Sequence, residues 1–169
     1  MGERGSGPTS RWTLVLLGLV ATVIYVADQA TKAAVASNLE LGERVPIIGD
    51  LLILTHAQNR GAAFSLLQGE TVLFVAVTIF ALGMIVFFHR SLRDRGLWLH
   101  AVLGLQLGGA LGNLTDRLRQ GYVVDFVSAG IGNLRWPTFN VADAALVVGI
   151  GTLVVYLLFR PETREPALA

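Results

Sequence analysis

Two carboxylates stand out by where the chain puts them. Asp143 lies just inside the apolar run "FNVADAALVVGIGTLVVYLLF" (Phe139–Phe159), and Asp125 stands in "GYVVDFVSAG", with Arg119 the nearest cation in sequence. A helix start accounts for Asp143 taken alone. Asn140 is a good N-cap residue, and an acid three positions later meets the positive end of the helix dipole. No such account covers Asp125, whose neighbours are Val124 and Phe126. Two acids near one level of an apolar boundary suggest shared-proton chemistry. Like charges a few Å apart cannot both ionise cheaply, so one keeps its proton while the other stays a base. Such a pair can activate water and protonate the leaving nitrogen of an amide. The helix start favours the ionised form of Asp143, and desolvation favours the neutral form of Asp125.

Three further polar clusters have two readings each. In "DQATK", Asp28 and Lys32 stand at i, i+4 with the acid first, a helix-end ion pair or a direct substrate contact. In "NRGAAF", Asn59 precedes a glycine and two alanines, which fits a plain turn or a substrate-facing loop with a donor and an acceptor to offer. In "GGALGNLTDR", Asn113, Asp116 and Arg117 share one helical face, and Gly108, Gly109 and Gly112 thin it for close packing. That cluster reads as a packing patch with an Asp–Arg pair, or as part of a site. Asn140 and Asp143 in "FNVAD" complete the set.

The elements that must hold these residues are mostly apolar. Of the 169 residues, 53% are hydrophobic and 15% are charged, and the mean hydropathy is +0.61. These values belong to membrane proteins. A net charge of +1 gives no field that suggests nucleic acid as a partner. With no cysteine there is no disulfide or thiolate chemistry, and His56, His89 and His100 lack metal-ligand spacing, so no metal or other cofactor is expected. Uncharged runs over Thr13–Ala27, Thr71–Phe88, Gly96–Thr115 and Ala144–Phe159 predict four spanning helices. A signal-peptide reading of the N-terminus is weaker than a retained first helix, because "DQATK" separates the apolar run from "AVAS" (Ala34–Ser37). The dense "HRSLRDRG" loop sets the orientation, with both termini cytoplasmic and both aspartates on the outer side. Residues 1–11 and 161–169 read as polar tails, and residues 12–160 as one membrane domain. Within that domain residues 38–69 form a β-rich loop, with two β-rich runs flanking a two-residue turn at Gly49-Asp50. The expected fold is therefore an all-α polytopic membrane protein whose small outer sheet lies between the first and second helices. A small transporter or ion-pathway subunit also uses intramembrane acids, but would need polar groups through the full depth of the spans. An assembly protein whose acids only cap helices would leave Asp125 without a partner.

Taken together and in order, "DQATK", "NRGAAF", "GGALGNLTDR", "VVDF" and "FNVAD" make the sequence similar to lipoprotein signal peptidases, over roughly residues 12–160. The resemblance implies a four-helix inner-membrane aspartic protease of bacteria, acting as a monomer. It cleaves lipidated prolipoproteins just before the cysteine that carries the diacylglyceryl group. It also implies that Asp125 and Asp143 form the catalytic pair, and that Asn59, Asn113, Arg117 and Asn140 bind substrate or hold the site. Asp28, Lys32, Asp116 and Gly109 would support it. The substrate's acyl chains would remain in the membrane lipid, with the scissile bond near the outer interface.

Overall fold

The computed structural model describes residues 10–61, 71–91 and 96–159. Residues 1–9 and 160–169 lie outside the described residues, as do half of the "HRSLRDRG" loop (92–95) and the two alanines of "NRGAAF"; the expected N-terminal tail ends two residues early, because Ser10 and Arg11 begin α1.

The chain folds as α1 (Ser10–Asn38), β1 (Arg44–Ile48), β2 (Leu52–Asn59), α2 (Thr71–Ser91), α3 (Leu97–Gln120), β3 (Val123–Ile131), β4 (Leu134–Arg135) and α4 (Val141–Leu158). Among the described residues, α1, α3 and α4 are long and apolar enough to cross a membrane. The small core is made where the four helices meet, from Leu17, Ile85, Leu103, Leu107 and Leu153. Outward faces are apolar instead of charged. Leu19 and Val23 of α1 and Val147, Ile150 and Leu157 of α4 are all exposed. Such helices bury their backbone hydrogen bonds within themselves and present hydrocarbon to lipid.

Helix α3 is the central element, packed against α1, α2 and α4. Its glycines make this possible. A Cβ on Gly104 or Gly108 would lie 2.8 or 2.6 Å from the carbonyl oxygens of Leu17 and Ala21 on α1. A Cβ on Gly109 would lie 2.6 Å from that of Ala142 on α4. The face that the sequence showed to be thin therefore receives two helices, one on each side. Helix α3 ends where Gly121 turns left-handed (φ 77°), its N–H closing on the Arg117 carbonyl. That turn sends the chain directly into β3.

The sheet departs from expectation. It is four-stranded and antiparallel, in the order β1-β2-β3-β4. Only its first hairpin comes from the segment between α1 and α2, and the second is built from the segment between α3 and α4. The long-range pairing of β2 with β3, from Leu52↔Ala129 to Asn59↔Val123, joins the halves. Val123, Val124, Phe126 and Val127 are strand formers, the local signal for β3, which the expected fold did not include. The β1–β2 link is also longer than the two-residue turn expected. Ile48 pairs with Leu52, and Leu51 N–H closes back on the Ile48 carbonyl at 3.0 Å.

Candidate active site

The site forms where the start of α4, the first half of β3, the end of α3 and the second half of α1 converge. Asn140 caps α4 through a capping box. Its Oδ1 accepts from Asp143 N–H at 2.9 Å, and Asp143 Oδ2 accepts from Asn140 N–H at 3.2 Å. The side-chain amide of the same residue points the other way and donates to Asp125 Oδ1 at 2.7 Å. One buried asparagine thus touches both carboxylates, Asp125 through its side chain and Asp143 through its backbone N–H.

Each carboxylate has a second amide. Asn59 Nδ2 donates to Asp125 Oδ2 at 3.0 Å, while its own Oδ1 is held by Gly61 N–H at 3.0 Å. Asn113 Nδ2 donates to Asp143 Oδ1 at 2.8 Å. Asn113 Oδ1 in turn accepts from Lys32 Nζ at 3.0 Å and from Asn140 at 3.2 Å. Since Lys32 can only donate, that contact fixes which end of the Asn113 amide faces Asp143.

Lys32 is 3% exposed. It pairs with Asp28 at 2.8 Å and with Asp116 at 2.9 Å, so its charge is balanced by buried partners. The Asp28–Lys32 pair is not at a helix end, because α1 continues to Asn38. Asp28 also performs a task that its sequence position hides. Its Oδ1 accepts from Ala142 N–H at 2.9 Å, capping α4 from a different helix. Asp116 Oδ2 accepts from Val124 N–H at 3.2 Å, which ties the strand beside Asp125 to the end of α3. The Asp–Arg pair read from "LTDR" is thus replaced by an Asp116–Lys32 pair, while Arg117 Nη1 reaches the Asn113 carbonyl at 3.3 Å. Gln29 was not singled out by sequence. Its amide donates to Asp116 Oδ1 at 3.0 Å and to the Gly112 carbonyl at 3.3 Å, joining α1 to α3. Its place beside Asp28 was the only available signal.

Asp125 is fully buried, and Val123, Val124 and Phe126 around it are buried too. Burial, and next the charge of Asp143, push its carboxyl up to about 7, against the pull of Asn59, Asn140 and Lys32 toward the ionised form. Burial favours the neutral form of Asp125, and Asn140 joins it to a second carboxyl, an arrangement that can work as an acid–base pair. Among the described residues no three His, Cys, Asp or Glu side chains converge as a metal site. All ten residues expected at a site are accounted for. Nine carry the contacts above, and Gly109 sets the approach of α4.

Residues 20–159 match the family model described as Signal peptidase (SPase) II. The chain belongs to that family. It is 44% identical over 152 residues to a lipoprotein signal peptidase of Anoxybacillus flavithermus, covering 90% of each chain. It is 42% identical over 140 residues to one of Geobacillus kaustophilus, covering 83% of this chain and 91% of the relative. A bacterial membrane enzyme solved by the in meso method at 2.3 Å shares the fold. Its TM-score is 0.81 at 31% identity, over 89% of this chain and 92% of that one. Signal peptidase II membership makes this a protease, and the amide-linked carboxylates are its candidate centre.

Proposed function

We propose that this protein removes signal peptides from diacylglyceryl-modified prolipoproteins, cutting before the lipidated cysteine, with Asp125 and Asp143 as the catalytic pair. The single observation that carries the residue assignment is Asn140, which contacts the Asp125 carboxylate through its side chain and the Asp143 carboxylate through its backbone N–H. Asp143 takes a proton from water, and the water oxygen bonds to the scissile carbonyl carbon. Asp125 gives its proton to the carbonyl oxygen. The C–N bond then breaks as Asp143 passes its proton to the leaving nitrogen, and the new acid's spare proton returns to Asp125. Asn59, Asn113 and Asn140 hold the pair and bind substrate, with Arg117 at the rim. Asp28, Lys32 and Asp116 fix α1, α3, α4 and β3 relative to one another.

The chain acts as a monomer in the bacterial inner membrane, residues 12–160 forming one domain between two cytoplasmic tails. Four helices span the bilayer. The uncharged Thr71–Phe88 run within α2 supports the fourth span, and the basic "HRSLRDRG" loop supports the orientation. The sheet and the pair then lie on the outer face, where water meets a substrate whose acyl chains stay in lipid.

The test is cleavage of a lipidated prolipoprotein reporter by purified protein, wild type beside Asp125→Asn and Asp143→Asn. Each substitution keeps the shape but removes the shared proton, and general acid–base catalysis contributes about 100- to 10,000-fold. A loss of that size is expected with helix content unchanged. If Asp125→Asn keeps more than about a tenth of the wild-type rate, well above that floor, the assignment is wrong.

A further inference from the structure

An open groove of about 600 Å³ lies on the sheet beside the carboxylate pair. That volume is in the range of ligand sites. At one side the groove borders the pair. Ala57 stands opposite Asp125 in the ladder, Arg60 follows Asn59, and Thr138 comes two residues before Asn140. Beyond β2 it reaches Gly42 and Arg44.

Its walls are tied down. Gly42 N–H donates to the His56 carbonyl at 2.8 Å, and the Thr55 hydroxyl donates to the Glu43 carbonyl at 2.7 Å. Arg135 donates to Ser128 Oγ at 2.9 Å and to the Ser128 carbonyl at 3.1 Å, and it pairs with Asp50 at 3.0 Å. The two other arginines of the lining are not used in this way. Arg44 is exposed, and its side chain has no hydrogen bond or ion pair among the described residues. Arg60 is exposed too, its guanidinium 5.8 Å from the Tyr122 ring centre. Among the described residues no carboxylate lines the groove. Glu43, next to Arg44, accepts from Glu40 N–H at 2.8 Å instead. Two uncompensated cations thus flank a cleft that opens beside Asp125.

The proposed reaction selects the occupant. The apolar signal peptide ahead of the cut and the acyl chains both stay in the bilayer. The chain that follows the lipidated cysteine is the part left to cross a polar sheet. In the order β1-β2-β3-β4 the strand of Arg44 lies two steps from the strand of Asp125, which is about 10 Å. An extended chain covers that distance in about three residues.

We propose that this groove seats the residues directly after the lipidated cysteine, and that Arg44 and Arg60 make it selective for acidic side chains there. The proposal rests on the proposed reaction, which by itself requires nothing of the substrate beyond the cysteine.

The test uses lipidated prolipoprotein reporters that differ only at the third and fourth residues counted from the cysteine, as Asp-Glu, Asn-Gln or Lys-Lys. Each is cleaved in uncharged detergent by wild type, by Arg44→Gln/Arg60→Gln and by Arg44→Glu/Arg60→Glu. Wild type should favour the acidic reporter over the lysine reporter by about threefold to tenfold in kcat/KM. The difference should lie in KM, because these contacts are away from the reacting atoms. It should shrink in high salt, vanish in the glutamine pair and invert in the glutamate pair. Two double variants keep the result from depending on the folding of one. Binding of the same reporters, fluorescently labelled, to the Asp125→Asn protein reads the charge order without cleavage. A charge order in binding with no cleavage by wild type would therefore uphold the groove and sink the reaction. Equal KM and equal binding for the three reporters would overturn the proposal, as would a preference that survives in the glutamine pair. Phosphatidylglycerol binding that needs both arginines, with no charge order among the reporters, would make the groove a lipid-headgroup site instead.

Discussion

Asn140 concentrates the chemistry of the site in one side chain. Its oxygen caps α4 and its amide nitrogen reaches Asp125. Asn140→Asp keeps the capping oxygen but places a third carboxylate against Asp125. Turnover should fall by roughly the 100-fold lower end of an acid–base contribution while the helix content holds, as measured by reporter cleavage beside circular dichroism. The proton on Asp125 sets the pH response. Its carboxyl is raised from 3.8 to about 7, so between those values the folded protein keeps a proton that the unfolded chain has released. The sign follows directly. The stability contributed by the protonated form is present below 3.8 and is lost as pH rises through about 7. Asp125→Asn should therefore melt at a higher temperature than wild type above neutral pH and lose that advantage near pH 4, in melts followed at both pH values. Over the same upper range kcat of the wild type should decline as the shared proton leaves. A rate still rising at alkaline pH would contradict Asp125 as the proton holder. Cleavage should also persist in strong chelators, and loss with recovery on adding zinc would argue for a metal at the site.

At the scale of elements, the close approach of α3 and α4 places Asn113 against Asp143. Gly109→Ala drives a methyl into the Ala142 carbonyl, and Gly112→Ala drives one into Asp28, 2.5 Å from Oδ2. Neither neighbour yields easily, one being backbone and the other a buried ion-paired carboxylate. Overpacking of this kind costs about 1–3 kcal/mol. Both variants should also lose activity beyond their loss of stability, because the displaced groups cap and carry Asp143. Gly104→Ala, against α1 and further from the site, is the comparison. Thermal melts with kcat on the same samples separate the effects. A Gly109→Ala enzyme that loses stability without losing kcat would show that helix spacing does not position the pair.

For the whole molecule, orientation is the property with most consequence. Asp125 and Asp143 are functional only if they face the side on which prolipoproteins emerge. A single cysteine at Ser91, beside the basic loop, and another at Glu40, beyond α1, should react with an impermeant thiol reagent from opposite faces of oriented vesicles. Position 91 should label from the cytoplasmic side. Labelling of position 91 from outside would invert the arrangement and place the pair on the wrong face.

Composition and periodicity determined that this is a membrane protein of apolar helices, because a face turned to lipid must be hydrocarbon wherever it lies in the fold. Local chemistry was legible where its partners are near in sequence. Asn140 and Asp143 could be read as a helix start, and Asp28 and Lys32 as an ion pair, since a helix brings such positions together by its own geometry. Partners far apart in the chain were not legible. Nothing near Asp28 announces that it caps α4, and nothing near Asp116 announces Lys32 or the strand of Asp125. The sheet was half seen for the same reason. Its first hairpin closes through a local turn, whereas β3 joins it only by pairing across the intervening α2 and α3. That pairing and the glycine-thinned contacts of α3 are tertiary decisions, and they alone bring Asp125 and Asp143 onto the two ends of one asparagine.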